Sequence, residues 1–293
     1  MTTFDSMPML IAVDVGNSRI KLGRFGSTGA LPRGRTASVV TTGRLLPEPI
    51  DTLELPLTNR AGEFDAKQLA AWCDTGILDV TAWLVSSVHR GAAERFAEAV
   101  GSLAKTRKAA WPLRLLNFRD VPLVIAIEAP ELVGIDRLLA AAAAEKLRRR
   151  DRAAIVVDLG TATTVDLVTA AGEFAGGAIL PGMAMSARAL EEQTDALPHV
   201  AIDGWPGPPQ SLGKATVPAI MSGLFWGTLG AIHELVEQLS IGLAAPPEVF
   251  VTGGTSRLFA EQLVATHKMA VQHIPHLVLR GIALVGSAEA AWN

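Results

Sequence analysis

Three short stretches of the chain place carboxylates where they could serve phosphate and metal chemistry. The first is Asp14-Val15-Gly16-Asn17-Ser18, followed by Arg19, Ile20 and Lys21. Gly16 has no Cβ, so the backbone can turn tightly there and aim N–H groups at an anion. Asn17 and Ser18 add side-chain donors and Lys21 a positive charge. Asp14 suits a hydrated Mg²⁺, a hard cation that keeps several waters. A plain hairpin closed by an Asp-Xaa-Gly turn accounts for this stretch, taken alone, equally well. The second stretch, Asp158-Leu159-Gly160-Thr161-Ala162-Thr163, offers the same parts. Two such turns facing each other would make a cleft for a nucleotide's phosphates and its metal. Gly253-Gly254 adds a close-approach point suited to a nucleoside, although one Gly-Gly pair usually marks an ordinary turn. The third acid is Asp136, in Gly134-Ile135-Asp136-Arg137 at the start of an alanine-rich segment. There an acid commonly just complements a helix dipole. Beside a phosphoryl donor it would instead accept the proton of an attacking hydroxyl, with Arg137 binding an anion bidentately. Phosphoryl transfer asks for little beyond alignment and charge neutralisation.

The elements that must position these residues echo each other. An apolar run at 10–13 ends in Asp14 and is followed by an alternating run at 19–25. A second apolar run at 154–157 ends in Asp158 and is followed by a strand-like run at 164–169. A buried strand, a glycine turn and a returning strand make a hairpin. One hairpin near the start of each half predicts two similar domains, residues 1–128 and 129–293. Further strands are expected at 36–41, 81–86, 174–180 and 247–252, and helices at 66–72, 92–103, 183–192 and 217–239. Residues 131–150, with the run Ala140 to Ala144, have strong helix propensity and are placed at the junction of the halves. Residues 43–62, carrying Pro47, Pro49 and Pro56, read as an irregular excursion. Residues 204–213, carrying Pro206, Pro208 and Pro209, read as a loop.

Composition narrows the class. Hydrophobic residues make up 49% of the 293 and charged residues 19%, which fits a folded chain with well-filled cores. A net charge of −3 gives no basic face for nucleic acid. The local run Arg148-Arg149-Arg150-Asp151-Arg152 reads as the solvated end of a helix. The single cysteine, Cys73, excludes an intrachain disulfide and a cysteine-cluster zinc site, and points to a reducing, cytoplasmic setting. The early apolar run stops at Asp14, so neither a signal peptide nor a membrane span is expected. The six histidines show no helical metal-ligand pair, and the tryptophans sit among apolar neighbours, with Trp205 the one suspected of lining a pocket or interface.

Taken in order, the three acid-bearing stretches resemble the signature motifs of the type III pantothenate kinase family. Val85-Ser86-Ser87-Val88, the run from Gly176 to Gly182, Thr194-Asp195-Ala196-Leu197-Pro198, Gly213-Lys214-Ala215-Thr216 and Val251-Thr252-Gly253-Gly254 extend the likeness over nearly the whole chain. The resemblance implies an α/β fold of two ribonuclease-H-like, actin-like domains with mixed sheets and a nucleotide cleft between them. It implies phosphorylation of pantothenate by ATP with Mg²⁺, the entry step to coenzyme A. By position, Asp14 to Lys21, Thr161, Gly253 and Gly254 would bind ATP, with Asp14 also serving Mg²⁺. Asp158 would bind a monovalent cation, K⁺ or NH₄⁺. Gly134, Ile135, Asp136 and Arg137 would contact pantothenate, with Asp136 as general base. Thr216 and Thr194 would join that pocket, Thr216 in a site shared across a homodimer. Without the resemblance either threonine reads equally well as a helix cap or turn residue.

The sequence departs from the family pattern in two places. It has no tyrosine, where the family often sets one before the Gly-Xaa-Asp-Arg motif, and Ile125-Ala126-Ile127-Glu128 stands there instead. Ser18 replaces the commoner threonine but keeps the hydroxyl. The alternatives weighed are another kinase or a phosphoanhydride phosphatase of the same fold, a non-catalytic regulatory relative, and an actin-like filament protein.

Overall fold

The structure is a computed structural model that describes residues 9–26, 46–75 and 80–290. The strand expected at 36–41 lies outside these residues. Among them the chain forms two compact units. One comprises residues up to Leu123 with Glu128–Leu147 and the C-terminal stretch from Leu277. The other comprises Val124–Ile127 and Arg148–His276. These units divide the chain differently from a boundary at 128/129, because residues 128–147 and the C-terminal stretch pack with the first.

The first unit holds a five-stranded sheet in the order β3-β2-β1-β4-β5. Strands β1 (Met9–Val15), β2 (Arg19–Gly26) and β3 (Asp51–Pro56) form an antiparallel meander. β4 (Val80–Ser87) pairs parallel with β1, and β5 (Leu113–Leu115) parallel with β4. This mixed sheet fits the ribonuclease-H-like fold that the resemblance implies. Ile11, Val13 and Val15 have no exposure, because β1 is the central strand and is covered by neighbours. Burying each such side chain is worth about 1.5–3 kcal/mol. Helices α1 (Ala66–Asp74) and α2 (Arg90–Arg107) add Leu69, Cys73, Phe96 and Val100 to this core.

Two differences from the sequence reading arise here. The proline-rich excursion at 43–62 contains β3. Leu53 and Leu55 pack inward while Thr52, Glu54 and Pro56 are exposed. Pro56 is tolerated because β3 is an edge strand. The alanine-rich helix α3 begins only at Ile135 (Ile135–Leu147), after a 3-10 turn over Pro130–Leu132. It crosses α7 (Leu277–Ala290), with Gly281 so near the Leu139 backbone that no Cβ would fit.

The second unit holds a six-stranded sheet in the order β11-β10-β7-β8-β9-β6. β7 (Ala154–Leu159), β8 (Ala162–Val168) and β9 (Glu173–Pro181) repeat the antiparallel meander. β10 (Glu248–Gly253) pairs parallel with β7, and β11 (Val271–His273) parallel with β10. The short β6 (Val124–Ile125) extends the far edge beside β9. The helices are α4 (Met183–Glu192), α5 (Thr216–Ser240) and α6 (Ser256–His267). α5 is long and apolar enough to cross a membrane, but its Ile220, Leu224, Phe225, Leu229, Ile232 and Val236 lie in this unit's core. Residues 204–213 form no helix or strand, as expected.

The basic run after α3 is not simply solvated. Arg148 is 1% exposed, and its guanidinium donates to the carbonyls of Arg149, Arg150 and Arg152 at 3.1, 3.3 and 2.8 Å. The side chain closes the turn into β7.

Candidate active site

In the first unit the site begins where β1 ends. Asp14 pairs in register with Lys21 on β2 and with Ser86 on β4. Ser86 is fully buried and its Oγ donates to Asp14 Oδ1 at 3.1 Å, which fixes one face of the carboxylate. Gly16 N–H donates to the Arg19 carbonyl at 3.0 Å and closes the turn, leaving Asn17 and Ser18 exposed. Arg19 is tied to Glu54 at 2.8 Å. Val88, just past β4, donates its N–H to the Val15 carbonyl at 3.0 Å. Its Cγ1 also lies 3.6 Å from where a Cβ on Gly134 would sit. The ends of β1 and β4 and the entry to α3 are thereby assembled side by side.

That entry carries Asp136. Its Oδ1 accepts from the Arg137 backbone N–H at 2.9 Å, and a Cβ on Gly134 would stand 2.5 Å from the same oxygen. Glycine is needed for the carboxylate to fold back over the helix start. Burial pushes the Asp136 carboxyl above its ordinary value of 3.8, against the pull of the Arg137 N–H and guanidinium. A raised carboxyl in a partly buried setting is the state a general base requires, because its appetite for a proton is increased.

In the second unit the corresponding turn is walled by glycines. Asp158 is the penultimate residue of β7, in register with Thr164 on β8 and Thr252 on β10. Gly160 N–H donates to the Ala162 carbonyl at 3.1 Å. Gly182, the buried N-cap of α4, donates to the Thr161 carbonyl at 3.2 Å, and a Cβ there would stand 2.6 Å from the Gly160 carbonyl. Gly253 has φ +103, where a side chain is strained, and its Cβ would stand 2.5 Å from the Leu159 carbonyl. Gly254 N–H donates to that carbonyl at 3.1 Å. Gly253 and Gly254 are therefore set against Leu159, at the start of the turn that carries Thr161.

Thr216 opens α5 and is exposed beside a cavity of about 680 Å³ lined by Leu190, Leu197, Lys214, Ile220 and Leu224. Thr194 does what the structural reading of a threonine predicts. Its Oγ1 donates to the Leu190 carbonyl at 2.6 Å and accepts from Leu197 N–H at 3.4 Å, ending α4. Trp205 donates Nε1–H to the Ala201 carbonyl at 2.8 Å and packs against the second core. Ser86 and Gly182 were given no role from sequence. The signal was the parallel register that sets β4 beside an acid at the end of β1, and a Pro-Gly pair closing a strand.

Which residues could hold a cation follows from these surroundings. Among the described residues no three His, Cys, Asp or Glu side chains gather as metal ligands. Asp14, with one oxygen bonded to Ser86, suits Mg²⁺ carried in with phosphates and water, which needs only one or two carboxylates.

Comparison with known proteins assigns the chain to a family. The type III pantothenate kinase family model matches residues 10–238. A type III pantothenate kinase of Dehalococcoides mccartyi is 34% identical over 252 residues, covering 86% of this chain and 87% of the relative. Those of Rhodospirillum rubrum and Paramagnetospirillum magneticum are 44% and 42% identical over 168 and 163 residues. The matched part spans about three-fifths of each of those two, 61% and 59%. Among solved structures, the Clostridium difficile activator of 2-hydroxyisocaproyl-CoA dehydratase, with bound ADPNP, is similar with TM-score 0.52 and 11% identity over 97% of this chain and 96% of that one. The ethanolamine utilization protein EutJ of Carboxydothermus hydrogenoformans gives 0.51 and 14% over 98% and 92%. Both show the actin-like ATPase fold alone. On the extent of the family match, this chain belongs to the type III pantothenate kinases.

Proposed function

We propose that the protein phosphorylates pantothenate with ATP and Mg²⁺, giving 4'-phosphopantothenate, the first step toward coenzyme A. The observation that carries this reading is Asp136, a carboxyl raised by burial at the start of α3, beside the strand ends that hold the glycine turn of Asp14. In this reading Asp136 takes the proton of the attacking hydroxyl, and Gly134, Ile135 and Arg137 hold pantothenate. Asp14, Val15, Gly16, Asn17, Ser18, Arg19, Ile20 and Lys21 serve the ATP phosphates, Asp14 also through Mg²⁺. Thr161, Gly253 and Gly254 serve the rest of ATP, and Asp158 a monovalent cation, K⁺ or NH₄⁺. To reach a phosphate Arg19 must first leave Glu54. Thr194 is spent on its own helix end, which leaves Thr216 to contact pantothenate.

A homodimer belongs to the same reading. Supporting it, Ile179 and Val217 are 63% and 41% exposed, and Gly223 and Gly227 on α5 have open space around them. Val217→Glu is expected to convert a dimer to a monomer in sedimentation and to raise the KM for pantothenate. A cytoplasmic setting fits Cys73, which is buried with its thiol pushed up to about 11.

The test is a coupled ADP-release assay with and without pantothenate, in potassium and in sodium. Pantothenate-dependent release that needs potassium is expected. Release indifferent to pantothenate but dependent on another alcohol would replace the substrate. Release dependent on neither would remove the kinase reading.

A further inference from the structure

The peptide joining Gly253 to Gly254 is held at both ends. Its N–H, on Gly254, donates to the Leu159 carbonyl at 3.1 Å, and its carbonyl, on Gly253, accepts from Ser256 Oγ at 2.6 Å. A peptide plane anchored in this way cannot flip without losing two hydrogen bonds. Ser256 is 2% exposed, so water offers its hydroxyl no substitute. That hydroxyl also lies 2.9 Å from His273 Nε2. Because the Ser256 proton is committed to the Gly253 carbonyl, the Oγ must accept from the ring, which fixes His273 with its proton on Nε2. His273 is the last residue of β11, and the next N–H, of Ile274, donates to the Val251 carbonyl at 2.9 Å, so the strand end that carries the ring is held to β10.

We propose that Ser256 and His273 are positioning residues for the nucleotide. Through the chain His273 Nε2–H to Ser256 Oγ to Gly253 carbonyl they lock the exposed Gly254 in the orientation that receives the nucleoside of ATP. The proposal rests on the assignment of Gly253 and Gly254 to ATP. Gly253 at φ +103 takes a conformation that suits glycine alone, and a glycine has many alternative conformations to fall into when a restraint is removed. The restraint therefore reaches ATP only through backbone geometry, and neither residue need touch it. Burial and the neighbouring Arg257 lower the His273 pKa against Glu261, which favours the neutral ring.

The test uses the full-length chain with His273→Ala, His273→Gln and Ser256→Ala. ATP binding is measured by calorimetry, and the KM values for ATP and pantothenate are measured separately. The Gln amide reaches the Nε2 position with an N–H, so it should restore the chain. His273→Ala and Ser256→Ala are expected to weaken ATP binding and raise its KM about five- to tenfold, the worth of one positioning hydrogen bond. The KM for pantothenate and kcat should stay within about twofold, and His273→Gln should return ATP to within about twofold of the parent. Unchanged ATP affinity in both truncated variants would overturn the proposal. So would equal losses for ATP and pantothenate that Gln does not rescue, since that pattern marks general destabilisation. Failure of the parent chain to bind ATP would instead remove the assignment of Gly253 and Gly254, and the proposal with it.

Discussion

The two glycine turns follow one plan and are finished differently. Between the last paired residues of the first hairpin, Val15 and Ile20, stand residues 16–19; between Leu159 and Thr163 of the second stand only 160–162. The longer turn leaves Asn17 and Ser18 exposed, and its acid is fixed by a neighbouring side chain, Ser86. The shorter turn is held by backbone. Gly182 and Gly254 donate to the carbonyls of Thr161 and Leu159, and Cβ atoms on Gly182 and Gly253 would collide with it. The first turn thus offers side-chain chemistry from a tolerant frame, and the second a rigid backbone surface that admits no bulk. Both hairpins share one plan, and their packing partners make them unlike.

The largest effect that would sharpen this contrast is at the acids. Asp14→Asn is expected to lower kcat/KM for ATP by about 10²–10³-fold, the usual loss for one electrostatic group at a reacting phosphoryl centre. Asp158→Asn should act on the cation instead, raising the potassium concentration for half-maximal activity. If both variants respond alike to potassium, the two acids do not have distinct roles.

Next come the glycines. Gly182→Ala must push back the Gly160 and Thr161 carbonyls and should destabilise the protein by about 1–3 kcal/mol, as overpacking does. In Gly16→Ala the new Cβ would stand 3.2 Å from the Arg19 carbonyl, a shift of a few tenths of an ångström, and about 1 kcal/mol or less is expected. Thermal or urea unfolding reads both, and equal losses would break the contrast. Ser86→Ala should cost about 0.5–1.5 kcal/mol in binding of ATP with Mg²⁺, the worth of its bond to Asp14.

The smallest effect concerns stability at Asp136. Its pKa is raised in the folded state, so the folded protein holds that proton more tightly than the unfolded chain does. Stability from this group is therefore lost as pH climbs from the ordinary value of 3.8 through the folded value, and the cost persists above it. Asp136→Asn should melt higher than the parent at neutral pH, with the gap closing in acid. A variant that melts lower at neutral pH would mean the carboxylate is held by favourable partners. Activity should fall as pH drops through the raised pKa, because a base must be unprotonated.

Much of the fold is legible locally because each hairpin announces itself. An apolar run buried on both faces, an acid and a glycine leave few readings, and β1, β2, β7 and β8 lie where expected. Features set by distant partners were not legible. The strand β3 hides behind its prolines, and only its edge position excuses Pro56. The burial of Arg148 depends on three carbonyls of its own turn, which a run of like charges does not reveal. The docking of α3 on α7 turns on Gly281, whose meaning appears only beside Leu139. Of the candidate site, the acids and turn glycines could be picked out by type and spacing. Ser86, Ser256 and His273 could not, since hydroxyls and histidines gain a role only from what a sheet sets next to them.

In the proposed reaction the carboxyl at the start of α3 is the base for transfer to pantothenate. Its most direct measurement is single-turnover transfer of the γ-phosphoryl group in Asp136→Asn beside the parent, with ATP binding followed by calorimetry on the same samples. Transfer is expected to slow by about 10²–10⁴-fold, the range for a lost general base, with ATP affinity nearly unchanged. Transfer at close to the parental rate would contradict it.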